Sequence, residues 1–194
     1  MTQFLQDKGA CRKFNPRYMR NLVARSFVVF GLLMAVDLAV AGERIVSKYT
    51  STARDKSLSF KDESDIPEGG FEALFSGFGG YRLLHLAGDE RSWINIRFGK
   101  QTVDLYQATM EAGGGTFPHK ANDVVEWRGV EKEGRFIPFA IIYRLAAGND
   151  ETRKIHTRLV VIKLDKERSA VIGHTEGANE DAEAKALADK SRSK

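Results

Sequence analysis

The sequence predicts an α+β domain, mainly antiparallel β-sheet folded as a curled sheet or sandwich, with a C-terminal helix and a signal-peptide helix ahead of it. Three observations carry this. Short β-leaning runs are punctuated by glycine-, aspartate- and asparagine-rich turns from residue 43 to about 175. Asn179 opens an alanine-rich segment with Glu180, Asp181 and Glu183 in its first turn, where the helix dipole favours acids. Ser26–Ala41, SFVVFGLLMAVDLAVA, is an apolar run of a different kind.

That run reads as an export signal. Phe27–Val36 is wholly apolar or glycine, shorter than the roughly 20 residues that span a bilayer and within the range of a signal-peptide core. Asp37 makes a longer span costly, by about 2.5–3.5 kcal/mol at mid-membrane. Ala39-Val40-Ala41 supplies the small-x-small pattern of a cleavage site, and Lys8, Arg12, Lys13, Arg17, Arg20 and Arg25 form the positive flank. The pattern is equally complete when counted from Met19. The expected organisation is a signal peptide at 1–41, a β-rich domain at 42–178, and a helix with a polar tail at 179–194. The protein is then periplasmic or secreted after cleavage near Ala41, touching the membrane only through the leader during export. An uncleaved leader would instead make it a membrane-tethered domain.

Cleavage also changes the charge. The full chain carries 30 Lys+Arg against 26 Asp+Glu. Residues 1–41 hold six of those bases and two of the acids, so the remaining 153 residues keep 24 of each. A neutral domain gains nothing from counterion release, which argues against a nucleic-acid partner. The only cysteine, Cys11, lies ahead of the apolar run; thiol catalysis, thiolate metal sites and disulfides are thereby excluded from the exported part.

In chain order, Glu43–Thr50 and Ser57–Lys61 lean to strand, and Asp62–Gly70 is an acidic loop. Phe71–Phe78 leads into a glycine turn at Gly77–Gly80. Tyr81–Ala87 and Arg91–Phe98 form a hairpin about Gly88-Asp89. Thr102–Met110 spaces Val103, Tyr106 and Met110 as a helix would, but is too short to separate from a strand. Ala112–Thr116 reads as a flexible loop. Asp123–Val130 and Arg135–Leu145 pair across Glu131–Gly134, with Pro138 marking a bulge or edge. Phe139–Leu145 and Ile155–Leu164 are the most apolar stretches, and Leu159–Ile162 is apolar on both faces, as a strand covered on both sides would be. This pair is the expected centre of the core. Ser169–Thr175 is a last strand, and the helix after it has a thin apolar face in which only Leu187 is large.

Candidate chemistry is sparse. His85, His119, His156 and His174 show no metal-site spacing, and no metal is expected. His85 shares a strand face with Tyr81 and Leu83, and His119 follows Pro118 in a loop. Asp89-Glu90-Arg91 offers two carboxylates and a guanidinium at a turn, where the simplest reading is a solvated turn with Asp89 bonding its own backbone. No nucleophile elbow is present, and neither glycine stretch has the Gly-Lys-Ser/Thr of a phosphate cradle, so no cofactor is expected. Tyr81, Trp93, Tyr106, Trp127 and Tyr143 are sheet aromatics suited to core filling or to a sugar- or peptide-binding platform. Trp127 alternates against Glu126 and Arg128 and so faces inward. These features favour a non-catalytic binding module of the cell envelope whose partner is an envelope protein or glycan. The alternative is a periplasmic hydrolase using Asp89 or Glu90 with His85 or His119.

In the order of Tyr49-Thr50, Gly77-Phe78-Gly79-Gly80-Tyr81, Gly88–Arg91, Val125-Glu126-Trp127-Arg128, Pro138–Arg144 and Ala178-Asn179, the chain resembles a family of small uncharacterised exported proteins of Gram-negative bacteria. The resemblance implies compartment and fold and carries no activity. Family members have cysteines near the first strands and before the last helix; here Phe75-Ser76 stands where Cys-Pro is expected, so the family's disulfide is absent.

Overall fold

The computed structural model describes residues 43–62, 64 and 70–192, all within one compact unit, Gly42–Lys194. The expected leader lies outside the described residues. Ten strands make two five-stranded antiparallel sheets among these residues. One sheet has the order β1 (Arg44–Ser51), β7 (Thr116–Lys132), β8 (Arg135–Gly148), β9 (Ile155–Lys163), β10 (Ala170–Thr175). The other is a meander of β2 (Ser59–Lys61), β3 (Phe71–Ser76), β4 (Tyr81–Gly88), β5 (Arg91–Phe98) and β6 (Gln101–Val103). Neither sheet closes on itself. The edge strands β2 and β6 have three residues each; β2 falls within the Ser57–Lys61 stretch that leans to strand, whereas β6 has no pattern long enough to read.

Alternation along the strands builds two apolar layers. Phe75, Leu83, Ile94, Ile96, Val125, Trp127, Ile141, Tyr143, Val160 and Ile162 bury together between the sheets. On the far side of the first sheet Ala140, Ile142, Leu159 and Val161 pack against helix α2 (Glu180–Ser191). Leu159–Ile162 is thus covered on both faces, for the reason its sequence implied. Trp127 faces inward, while the flanking Glu126 and Arg128 reach α2, where Arg128 holds Asp189 through Nε and a terminal nitrogen at 3.0 and 2.6 Å.

Several boundaries differ from expectation. Thr102–Met110 divides into β6 and a short helix, α1 (Tyr106–Gly113), with Leu105 N donating to the buried Asn95 Oδ1 at 2.8 Å. The loop expected at Ala112–Thr116 ends early, because β7 begins at Thr116 and takes its partner from β8 despite a polar sequence and two register shifts before Val125. The bulge expected at Pro138 is present, where Arg128 pairs with Ala140 and Gly129 with Pro138. Asn179 stands at the start of α2 but its side chain caps nothing; separately, Thr175 Oγ1 donates to Glu180 O and ties β10 to the helix.

The helix face that looked thin is a contact face. Ala184 and Ala188 are fully buried, and their small size lets the helix lie close to the sheet. Ala188→Leu should cost about 1–3 kcal/mol by overpacking and loosen the Arg128–Asp189 clamp. Urea unfolding together with amide exchange along α2 would detect both effects.

Candidate functional site

At one end of the sandwich the β4–β5 turn, the start of β3 and the early part of β7 surround a cleft of about 860 Å3. This is within the size range of small-molecule sites. His85, Asp89, Glu90 and His119 all line it, joined by Arg91, Ser92, Lys120, Phe60 and Phe71. Two smaller clefts adjoin it: one shares Phe60, Phe71 and His85 and continues to Arg54 and Asp123, the other shares Glu90 and His119 and continues to Asp150 and Lys154.

His85 is among the most buried polar groups of the site, at 7 % exposure. Strand alternation places it inward beyond Leu83, and cross-strand pairing sets it between Ala73 and Ile94. Phe71 meets its ring edge-on at 4.7 Å, and Phe60 stacks on Phe71 at 5.6 Å. Its Nε2 is buried with no hydrogen-bond partner. Burial, with help from the nearby Lys120 charge and against the pull of Asp123, pushes the imidazole down to about 3. It is therefore neutral at physiological pH.

The turn above it is strained. Gly88 pairs with Arg91, so the two-residue loop is Asp89-Glu90 rather than the expected Gly-Asp. Both residues have positive φ, 49° and 60°, the geometry of a tight hairpin turn that usually takes Asn-Gly. Of the six non-glycine residues with positive φ among those described, Asp89, Glu90, Phe117 and Arg153 border these clefts. Such conformations cost about 1–3 kcal/mol each and concentrate at working sites. Asp89 does not bond its own backbone as expected; its carboxylate pairs with Arg91, whose guanidinium lies 4.8 Å from the Phe117 ring. Glu90→Gly should raise stability by about 1 kcal/mol, since glycine adopts positive φ without penalty; thermal unfolding would show it.

The other edges are tied to the sheets. Lys120 N donates to Ser92 Oγ at 2.8 Å, stitching β7 to β5. Lys120 Nζ, with its side chain only 6 % exposed, donates to Asp123 Oδ1 and Asn122 O, both at 2.7 Å. Gly70 closes the rim: a Cβ there would stand 1.9 Å from Ala87 O. His119 Nδ1 is 3.2 Å from Phe117 O.

Among the described residues no hydrogen bond joins either cleft histidine to a carboxylate, and no group of three metal-ligating side chains converges. The arrangement can therefore present an aromatic wall, a neutral imidazole and carboxylates to a ligand. The aromatics divide. Tyr81, Trp127 and Tyr143 fill the core, whereas Trp93 and Tyr106 pair edge-on at 4.7 Å on the outward side of β5. Phe60, Phe71 and Lys120 were not singled out from sequence; only the meeting of the two sheets places them beside His85. No helix among the described residues is long and apolar enough to cross a membrane. Compared with family models, curated proteins and solved structures, the chain matches none.

Proposed function

We propose that this protein is an exported component of the cell envelope, of the kind its Gram-negative resemblance suggests, and that it acts as a non-catalytic binding module through the cleft at His85. The observation that carries the reading is His85 itself, a buried neutral imidazole lining an open cleft with its Nε2 unpartnered. A buried polar atom left without a partner costs about 1–3 kcal/mol, and a ligand that bonds it or its ring recovers part of that. Strain at Asp89, Glu90 and Phe117 supports the same location.

The hydrolase reading is favoured by one observation, the gathering of His85, Asp89, Glu90, His119 and Arg91 at one cleft. Against it, a general base works best with a pKa near the operating pH, and His85 is held near 3. Asp89 is already committed to Arg91.

Two measurements test the proposal. Cell fractionation with intact-mass analysis should find a product starting after Ala41 and extractable without detergent; retention in the membrane would support the tethered form instead. A fragment screen of sugars, short peptides, amines and carboxylic acids, read by amide shifts at His85 and Ser92, should give saturable binding that His85→Phe removes. A screen that moves neither residue would overturn the binding site.

A further inference from the structure

Charge accounting around the cleft narrows its ligand. Three acids line it, Asp62, Asp89 and Glu90, with two bases, Arg91 and Lys120. Both bases are satisfied internally: Arg91 by Asp89, Lys120 by Asp123 and the Asn122 carbonyl. Of the acids, Asp62 faces the charge of Arg54, which leaves Glu90. Asp62 accepts from Ser64 N at 3.2 Å and Ser64 Oγ at 2.6 Å, bonds that hold its carboxyl below the usual range and so ionised. Glu90 has no ion pair or hydrogen bond among the described residues, yet it is kept in a strained turn shared by two adjoining clefts.

The wall suits the same charge. The Phe60–Phe71 stack already holds one cation, the Arg54 guanidinium, 4.0 Å from the Phe60 centroid. A neutral imidazole carries one acceptor nitrogen, and the buried His85 Nε2 has no hydrogen-bond partner among the described residues. Carboxylates, aromatic faces and an imidazole acceptor together match an ammonium group, which offers three N–H donors and a positive charge. Of the bases nearby, Arg91 and Lys120 are held in ion pairs and Arg54 acts on Asp62.

We infer that the cleft binds an organic cation, a primary ammonium on an apolar stem, with Glu90 as its countercharge and Phe71 and His85 along the stem. This rests on the binding-module reading and names its ligand class. The full-length protein is titrated separately with pentylamine, valerate and pentanol, which share a five-carbon stem and differ in charge. Amide shifts of His85, Glu90 and Ser92 and the thermal midpoint are followed at low and high salt.

Pentylamine should shift all three amides saturably, raise the midpoint, and weaken at high salt. Glu90→Gln should lower its affinity about tenfold, the size of one charged hydrogen bond, and Glu133→Gln, at a distant hairpin turn, should leave it unchanged. Glu90→Gly provides a stable fold lacking the same carboxylate and should behave like Glu90→Gln. If valerate or pentanol shifts the cleft as strongly as pentylamine, or Glu90→Gln binds pentylamine as the parent does, the cation assignment fails while the binding cleft stands. If none of the three shifts the cleft amides, both readings fail.

Discussion

Trp127→Ala is expected to destabilise the domain by about 3–5 kcal/mol, read as a lower urea midpoint with little change in slope. Trp127 is fully buried in the layer between the sheets, and two separate segments depend on it. Its Nε1 donates to Thr50 Oγ1 at 2.8 Å, holding edge strand β1. Phe78 meets its ring edge-on at 5.6 Å from the β3–β4 turn. Gly77 lies so close that a Cβ there would sit 2.2 Å from the indole Cη2. Trp127→Phe should cost less, because it keeps most of the apolar contact and loses the Thr50 bond. Gly77→Ala probes the contact from the opposite side and should also destabilise. A loss under about 1 kcal/mol for Trp127→Ala would mean that the two sheets do not share the packed layer described.

The second large effect concerns acid. His85 has an ordinary value of 6.5 when unfolded and about 3 when folded. Between those limits the unfolded chain binds a proton that the folded one refuses, so stability falls as the pH drops. The contribution is complete above about 6.5 and is lost progressively as the pH falls through 3. At about 1.4 kcal/mol per unit, the full window amounts to a few kcal/mol. The groups acting on the ring are the Lys120 ammonium, which opposes its protonation, and Asp123, which favours it. Asp62, Glu131 and Glu176 are also held low, each chiefly by a side-chain hydrogen bond, but as carboxylates they act at lower pH. Urea midpoints measured from pH 7 to pH 4.5 should therefore fall in the parent and flatten in His85→Phe. Equal slopes in the two proteins would place the acid sensitivity elsewhere.

How far these features can be read from sequence depends on how local their cause is. Leu159–Ile162 announces a strand covered on both faces because four consecutive apolar residues leave no wet side. His85 is legible as inward-facing through its alternation with Tyr81 and Leu83. By contrast, the first half of β7, Thr116–Val124, is polar and largely exposed, and it is strand only because β8 lies beside it. Helix α1 has eight residues, too few to establish a period. The alanines of α2 give a weak amphipathic signal because their role is close approach rather than bulk.

The candidate site divides in the same way. Its four titratable residues could be picked from the sequence by type, and the cleft does line up all four. What could not be read was their company. Phe71 and Phe60 reach His85 through the β2–β3–β4 pairing, and Lys120 reaches Ser92 across 28 residues of chain. Nor could the strain at Glu90 be foreseen, since the turn register that gives it positive φ is fixed by the pairing of Gly88 with Arg91.

The protonation of the His85 ring is the most direct test of the claim that this cleft binds rather than catalyses. Followed by NMR through the ring carbon protons, His85 should remain neutral as the pH is lowered below 5, titrating only near 3 or as the fold is lost. A midpoint near 6.5 would contradict the account, because it would place a working general base beside Asp89 and Glu90.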